Sequence, residues 1–150
     1  MSDVGRHPNI ELLTNSDVIK VEGYIGNFKV TVHKKPRYVT KECTACGNCV
    51  DVCPVEVSNE FEVGLTWRKA IYTPFAQAVP AIYLIDENGC IGLGENTCAK
   101  CKEVCGPDAI NFNDKPEEVE LNVGTIIVAT GMDVYDPVAL TEYGLSLIHI

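Results

Sequence analysis

The chain has 150 residues, of which 46% are hydrophobic, and a formal net charge of −9 at pH 7. This length suits one domain or one domain with a smaller insert, and the apolar content excludes a wholly disordered chain. The negative charge disfavours nucleic acid as a partner, because such a surface repels phosphate. No apolar run is long enough to span a membrane and the N-terminus has no signal pattern, so we expect a cytoplasmic protein.

The first forty residues have the pattern of β-structure. Residues 10–13 are a short strand candidate, and residues 18–24 are a second. After a Gly-Asn pair, residues 28–33 alternate apolar and polar side chains, which is the period of a half-buried strand. The inward-facing side chains of this third strand would be Phe28, Val30 and Val32.

All eight cysteines lie in the next part of the chain, between residues 43 and 105. In a reducing compartment cysteines are metal ligands or redox groups more often than disulfides. The first four form C-x₂-C-x₂-C-x₃-C before Pro54, the run of bacterial ferredoxins. The first three cysteines, each separated from the next by two residues, wrap around one cluster, and the fourth points to a second cluster. Zinc, which takes two separated pairs in structural sites, fits this density less well.

A second, altered motif occupies residues 98–107. The x₂ and x₃ spacings recur there, in Cys98, Cys101 and Cys105. Where the first cysteine of a complete motif would stand the chain has Glu95, and the nearest upstream cysteine is Cys90. We expect residues 91–97 to be a loop expansion that its glycines make flexible, so that Cys90 supplies the missing ligand. If Cys90 is instead a buried free cysteine, a three-iron cluster would result.

The two motifs predict two [4Fe-4S] clusters with exchanged ligands, because each motif gives its last cysteine to the other cluster. Cluster one would be held by Cys43, Cys46, Cys49 and Cys105. Cluster two would be held by Cys53, Cys90, Cys98 and Cys101. Each half would consist of a cluster loop, a helical turn and a short strand, with residues 70–72 and 82–85 as partner strands. We expect the aromatic residues between the motifs in the core or shielding the clusters: Trp67, Tyr72, Phe75 and Tyr83.

Two further segments follow the second motif. Residues 119–123 alternate apolar and polar side chains, whereas residues 125–129 are almost continuously apolar, which predicts a strand buried on both faces. Residues 28–34 and 117–123 would then be the two arms of a β-hairpin. Hairpin tips tolerate insertion, so the cysteine-bearing region is expected to be a small domain inserted at the tip.

The combination of these features resembles one known family. The string GTIIVATG at residues 124–131 resembles the ATG motif of glutathione-reductase-type FAD proteins, in which the strand ends near the flavin. With HPNIELLTNSDVIKVEGYIGNFKVTVHKKPRYV, CTACGNCVDVCPVEV and RKAIYTPFAQAVP, it resembles the A-type subunits of heterodisulfide reductases over about residues 3–144. This resemblance implies an α+β fold in which a two-[4Fe-4S] ferredoxin-like domain is inserted into a β-hairpin of an FAD-binding domain of the thioredoxin/glutathione-reductase type.

The resemblance also implies domain boundaries. Residues 1–40 and 115–144 would belong to the FAD-binding domain, and residues 41–114 would be the ferredoxin-like insert. Residues 145–150, LSLIHI, match the translation of a sequencing-adapter end and are expected to be an artefact. No G-x-G-x-x-G occurs in the chain, so we expect a fragment that does not hold FAD by itself.

The function implied by the resemblance is that of an electron-transfer subunit in an oxidoreductase of methanogenesis. Its complex reduces the CoM-S-S-CoB heterodisulfide and bifurcates electrons at FAD, which Thr130 and Gly131 would contact. The implied partners are heterodisulfide reductase subunits of the B and C types, hydrogenase or other electron-donor subunits, and ferredoxin. No catalytic nucleophile is expected in the fragment, which would not be catalytically complete. A free-standing two-cluster ferredoxin and a structural metal protein are the alternatives.

Overall fold

The computed structural model describes residues 2–93 and 98–131, which form short helices and antiparallel strands. The helices are α1 (Ser2–Arg6), α2 (Asn48–Asp51) and α3 (Lys100–Glu103), with a 3₁₀ helix at Glu60–Glu62. The strands are β1 (Ser16–Tyr24), β2 (Asn27–Lys34), β3 (Glu56–Ser58), β4 (Trp67–Lys69), β5 (Ile71–Tyr72), β6 (Leu84–Ile85) and β7 (Glu117–Val123). Within these residues, each helix is too short to cross a lipid bilayer.

A three-stranded antiparallel sheet has the order β1-β2-β7. Tyr24 pairs with Asn27, so β1 and β2 are joined by a two-residue turn whose Gly26 has a φ of 91° that favours glycine. The strands β2 and β7 pair from Phe28 with Val123 to Lys34 with Glu117. The sequence-predicted strands at residues 18–24, 28–33 and 119–123 are therefore confirmed, as is the pairing of the two hairpin arms.

One face of this sheet is apolar. The register places Val18, Val32 and Val119 in one row, with a parallel row of valine and leucine side chains beside it. A bulge between Val18 and Lys20 keeps Val21 on the same face. Val32 on the central strand is only 5% exposed, but Val18 and Val21 on the edge strand are 62% and 50% exposed. This part of the apolar face is therefore open to solvent.

The cysteine-bearing region has its own small core. A continuous cluster of buried side chains comprises Tyr38, Val39, Cys49, Ile71, Ile85, Cys101, Ala109 and Ile110. The strands β5 and β6 contribute Ile71 and Ile85 to it, and α2 contacts both α3 and β5. Because Cys49 and Cys101 belong to this core, each cysteine motif contributes one buried side chain to it.

Asp114 closes the cysteine-bearing region where the chain leaves and re-enters the sheet. Its carboxylate accepts hydrogen bonds from the backbone N–H groups of Arg37 at 2.9 Å and Tyr38 at 3.1 Å. Beside it, the N–H of Asn111 donates to the carbonyl of Tyr38 at 2.9 Å. A β-bridge between Val39 and Ile110 continues this pairing. The two ends of the region are thus joined next to the end of β2 and the start of β7.

Two strand predictions are wrong for this structure. Residues 10–13 form no strand, and Ile10 and Leu12 are 44% and 41% exposed. Residues 125–129 also form no strand, and Ile127 and Val128 are 89% and 78% exposed rather than buried. A strand buried on both faces needs neighbours on both sides, and the described residues place none there.

The partner strands are also arranged differently from the expectation. Residues 70–72 and 82–85 pair with each other, as β5 and β6, rather than with the strands that follow the cysteine motifs. After the first motif, β3 instead pairs with β4. After the second motif, Ile110 pairs with Val39. Period and spacing identify such short strands, but their partners are decided by the packing of the core.

Candidate metal centre

Four cysteines line a first cavity formed mainly by α2, the loop before it and the segment that follows α3. They are Cys43, Cys46, Cys49 and Cys105, the set predicted for cluster one. The cavity contains about 330 Å³ of space free of atoms, part of it open to solvent. Among these residues Cys49 is buried and Cys46 is exposed. The last cysteine of the second motif therefore lies with the first three cysteines of the first motif.

The loop of the first motif has the backbone that such a cavity needs. Ala45 and Gly47 have φ values of 55° and 90°, in the left-handed region, so the chain turns tightly between Cys43 and Cys49. A left-handed residue with a side chain costs about 1–2 kcal/mol, which favours a small residue at position 45. The N–H of Ala45 lies 3.5 Å from Cys43 Sγ. A backbone N–H near sulfur stabilises the thiolate that iron requires.

The other four cysteines line a second cavity. It is lined by Cys53, Cys90, Cys98 and Cys101, the set predicted for cluster two, and contains about 340 Å³ of space free of atoms. The rest of its lining is Pro54, Val55, Ala70, Ile71, Ile85, Ile91 and Lys100. An almost wholly apolar lining around four sulfurs suits an iron–sulfur cluster, whose irons each take one thiolate.

The exchange of ligands has a simple local cause. The residues between Cys49 and Cys53 form the end of α2, and those between Cys101 and Cys105 form the end of α3. One helical turn separates the two cysteines of each pair, so each pair bridges both cavities. The structure brings the two predicted sets together, whereas the assignment of these cysteines as iron ligands stays a prediction.

Cys90 lines the second cavity, and the chain that follows it packs closely against the backbone of Cys98. Its N–H donates to the carbonyl of Asp86 at 3.0 Å. Gly92 is buried, and a Cβ atom there would lie 2.3 Å from the Cys98 carbonyl oxygen and 3.6 Å from Cys90 Sγ. The chain after Cys90 thus packs directly on Cys98. Residues 94–97 of the predicted loop expansion lie outside the described residues.

Burial sets the protonation of the two central thiols. It raises the pKa of Cys49 to about 11, and the neighbouring thiols Cys43, Cys46 and Cys105 contribute in the same direction. Burial likewise raises the pKa of Cys101 to about 11, and the neighbouring Cys90 adds to this effect. Both thiols therefore keep their protons at neutral pH, and binding of a metal by them would release protons.

The donor set fits a polynuclear cluster. In the described ranges, no three side chains of His, Cys, Asp or Glu converge closely enough to share a single metal ion. The four cysteines of each set instead line a common cavity. An iron–sulfur cubane presents its irons at separate corners, so donors that are spread around a cavity can each reach one of them.

Cysteine and aromatic spacing did not identify which aromatic residue approaches the cysteines. Trp67 and Phe75 are 71% and 59% exposed, so the prediction of a core or shielding role for them is wrong. Tyr72 is half-buried, and Tyr83 lines the first cavity. Local spacing in the sequence does not show that Tyr83 lines the cavity, because its position there depends on the pairing of β6, which follows it, with β5.

The predicted FAD contacts lie apart from the cysteines. Thr130 and Gly131 are exposed and line neither cysteine cavity. Gly131 has a φ of 77°, which favours glycine, and a Cβ atom there would meet nothing within 4 Å. Their predicted role therefore stays a prediction.

Fold and cysteine arrangement are those of a ferredoxin-type iron–sulfur protein. In agreement, residues 36–57 match the family model of the 4Fe-4S binding domain. Over nearly the whole chain, the sequence is 55% identical to the A-type iron-sulfur subunit of the CoB–CoM heterodisulfide reductase of Methanocaldococcus jannaschii, with 98% of this chain and 22% of the relative covered. The chain belongs to the family of A-type heterodisulfide reductase subunits, which confirms the resemblance found in the sequence.

Further relatives support the same placement. The A-type subunit of the H₂:CoB-CoM heterodisulfide,ferredoxin reductase of Methanothermobacter marburgensis is 54% identical over 96% of this chain and 21% of its own length. The A-type subunit of the ferredoxin:CoB-CoM heterodisulfide reductase of Methanosarcina acetivorans is 47% identical over 98% of this chain and 18% of its own length. The chain thus spans about a fifth of the length of the curated relatives that it matches.

Proposed function

We propose that this chain relays single electrons through two [4Fe-4S] clusters within an oxidoreductase of the heterodisulfide reductase type. The observation that carries the proposal is the pair of cavities, each lined by four cysteines drawn from both motifs. Names of the relatives support an iron–sulfur subunit of such an enzyme. The named relatives also suggest the CoB–CoM heterodisulfide as the final electron acceptor and ferredoxin as a partner.

The cysteines would hold the clusters in two sets. Cluster one would be bound by Cys43, Cys46, Cys49 and Cys105, and cluster two by Cys53, Cys90, Cys98 and Cys101. When bound, the clusters supply reversible one-electron oxidation and reduction. Apolar side chains around both cavities exclude water, which holds the local dielectric low. The short segments 49–53 and 101–105 join the two sets covalently and keep them adjacent.

Backbone donors would adjust the charge on the first ligand set. The N–H of Ala109 donates to Cys105 Sγ at 3.2 Å, and the N–H of Ala45 approaches Cys43 Sγ at 3.5 Å. Hydrogen bonds to ligand sulfur favour the more negative, reduced state and raise the reduction potential. The peptide backbone thus contributes to electron transfer without a catalytic side chain.

The flanking strands would belong to an FAD-binding domain of the longer protein. We place residues 1–40 and 115–144 in that domain, residues 41–114 in the insert, and Thr130 with Gly131 beside the flavin. In support, β2 and β7 pair across the cysteine-bearing region. Exposed apolar side chains on β1 and at residues 126–128 further indicate surfaces that a larger protein covers. A free-standing ferredoxin carrier would have no use for them.

The decisive experiment is anaerobic reconstitution of the chain with iron and sulfide, followed by elemental analysis and EPR of the reduced protein. Two four-iron clusters per chain with magnetic interaction between them are expected, because the two ligand sets are adjacent. A Cys90→Ala variant should keep one cluster intact and lose or convert the other. Zinc without acid-labile sulfide, or a single cluster in the unmodified chain, would overturn the proposal.

A further inference from the structure

Tyr83 is held in a fixed position beside the first cavity. The residues on either side of it are bound to Arg37: the guanidinium donates to the Ile82 carbonyl at 3.1 Å, and the Arg37 carbonyl accepts from the N–H of Ile85 at 3.2 Å. Ile85 is 3% exposed and part of the core. The backbone that carries Tyr83 is therefore anchored on both sides.

The hydroxyl of Tyr83 approaches the loop that carries the cysteines. Tyr83 lines the cavity of the first cysteine set, and a Cβ atom on Gly47 would lie 3.7 Å from its Oη. Gly47 stands between Cys46 and Cys49. Burial raises the pKa of the Tyr83 hydroxyl, and the nearby Cys49 raises it further, so the group keeps its proton and can donate.

The second cavity has a different lining. Besides its cysteines it is lined by six apolar residues and by Lys100, which is exposed and whose charge solvent screens. The central thiols of the two sets are buried alike, Cys49 at 8% and Cys101 at 9% exposed. Tyr83 is therefore one of three side chains with polar groups, together with Thr44 and Asn48, that line the first cavity and not the second.

We propose that the Tyr83 hydroxyl donates a hydrogen bond to a sulfur of cluster one and thereby raises the reduction potential of that cluster alone. This inference rests on the proposed binding of two clusters. A hydrogen bond to sulfur stabilises the reduced state, which carries one more negative charge than the oxidised state. The hydroxyl proton stays on oxygen throughout, so each reduction adds one electron to the cluster and transfers no proton.

The test is a redox titration of the reconstituted chain followed by EPR, with Tyr83→Phe as the variant. The matched control is Tyr72→Phe, since the Tyr72 hydroxyl bonds to Glu60 at 3.3 Å and its ring stacks under Arg68, outside the first cavity. Tyr83→Phe should shift one of the two potentials to a more negative value and leave the other unchanged. Tyr72→Phe should change neither.

Two additional variants make the test specific to Tyr83 and to cluster one. In a Cys90→Ala background the intact four-iron cluster should be cluster one, and Tyr83→Phe should still lower its potential. Replacing Tyr83 by 3-fluorotyrosine, a stronger donor of the same shape, should shift the same potential in the opposite direction and serves if the Phe variant fails to assemble. Unchanged potentials, or equal shifts of both, would overturn the role of Tyr83. Iron and sulfide contents measured on the same samples test the clusters themselves.

Discussion

Gly92 lies against the backbone of Cys98, where a Cβ atom would come within 2.3 Å of the Cys98 carbonyl oxygen. Such a distance is shorter than any that a side chain tolerates, and its partner is backbone that cannot swing aside. The sequence predicts that this glycine gives flexibility. The structure instead gives it a steric role, because it allows the chain after Cys90 to close on the second cysteine motif.

A Gly92→Ala substitution should displace Cys90 or Cys98 from the second cavity. We expect the variant to bind about half of the iron and sulfide of the unmodified chain, since only one of two clusters loses its ligands. Elemental analysis after anaerobic reconstitution measures this directly. Gly124→Ala is the matched control, because a Cβ atom there meets nothing within 4 Å. A full iron content in Gly92→Ala would show that the contact does not position these ligands.

Asp114→Ala should destabilise the closure of the cysteine-bearing region. Besides a local hydrogen bond from the N–H of Lys115, the carboxylate accepts backbone hydrogen bonds across the region from Arg37 and Tyr38, and the variant removes their acceptor. Hydrogen bonds to charged groups contribute about 1.5–3 kcal/mol each. Because Asp114 is half-buried and water can replace part of what is lost, we expect the low end of the sum for the two bonds, a loss of about 3 kcal/mol in the free energy of unfolding. Urea unfolding of the reconstituted protein, monitored by circular dichroism, provides the measurement.

The control for this variant is Glu118→Ala on β7. Glu118 is exposed, and surface substitutions of this kind change stability by about 0.5 kcal/mol or less. Equal unfolding free energies for the two variants would mean that the Asp114 carboxylate does not close the region.

Features with local periodicity or spacing could be predicted from the sequence. The alternation in residues 28–33 and 119–123 predicted both strands, and their positions on either side of the cysteines predicted their pairing. Cysteine spacing also predicted two sets that include one exchanged member each, because one helical turn separates the last two cysteines of a motif.

Features that depend on distant partners could not be predicted. The apolar run at residues 125–129 has the composition of a buried strand, but burial requires neighbouring strands that the described chain does not supply. Similarly, Tyr83 and the exposed Trp67 are both aromatic residues between the motifs, and only the pairing of β5 with β6 separates their roles. The contact of Gly92 with Cys98 is equally invisible in the sequence.

Asp86→Asn should reduce stability at neutral pH, because it removes the ion pair between the Asp86 carboxylate and the Arg68 guanidinium. Burial alone would raise the pKa of Asp86, but hydrogen bonds from Arg68 at 2.8 Å and from the N–H of Gly89 at 3.0 Å lower it below its ordinary value. Asparagine can still accept from the backbone, so the variant removes mainly the charge. A loss of about 1–3 kcal/mol in the free energy of unfolding is expected at pH 7.

The sign of the pH dependence follows from the direction of this shift. A carboxyl group with a depressed folded-state pKa contributes its stability above its unfolded pKa of about 3.9 and loses it as the pH falls through the lower folded value. The difference in unfolding free energy between the unmodified chain and Asp86→Asn should therefore be constant from about pH 5 to 7 and shrink below about pH 4. Comparing the two proteins at each pH removes the effect of acid on the clusters themselves. A difference that stays constant into strong acid would contradict the shift.

The proposed exchange of cysteines between two clusters can be tested with pairs of substitutions. Cys105→Ala, Cys46→Ala and Cys98→Ala should each lower the iron and sulfide content by up to about half, because each removes one ligand from one cluster. Cys105 and Cys46 line the same cavity, whereas Cys98 lines the other. The double variant Cys46→Ala/Cys105→Ala should therefore keep one cluster, although its two cysteines come from different motifs.

The second pair gives the opposite result if the ligands are exchanged. Cys98→Ala/Cys105→Ala removes two cysteines of the same motif, yet it takes one ligand from each cavity, so both clusters should be lost or converted to three-iron forms. If each motif instead held its own cluster, this variant would keep one intact four-iron cluster, and Cys46→Ala/Cys105→Ala would keep none. EPR of the oxidised samples distinguishes three-iron from four-iron clusters. The two double variants therefore decide between exchanged and separate ligation without any assay of the complete enzyme.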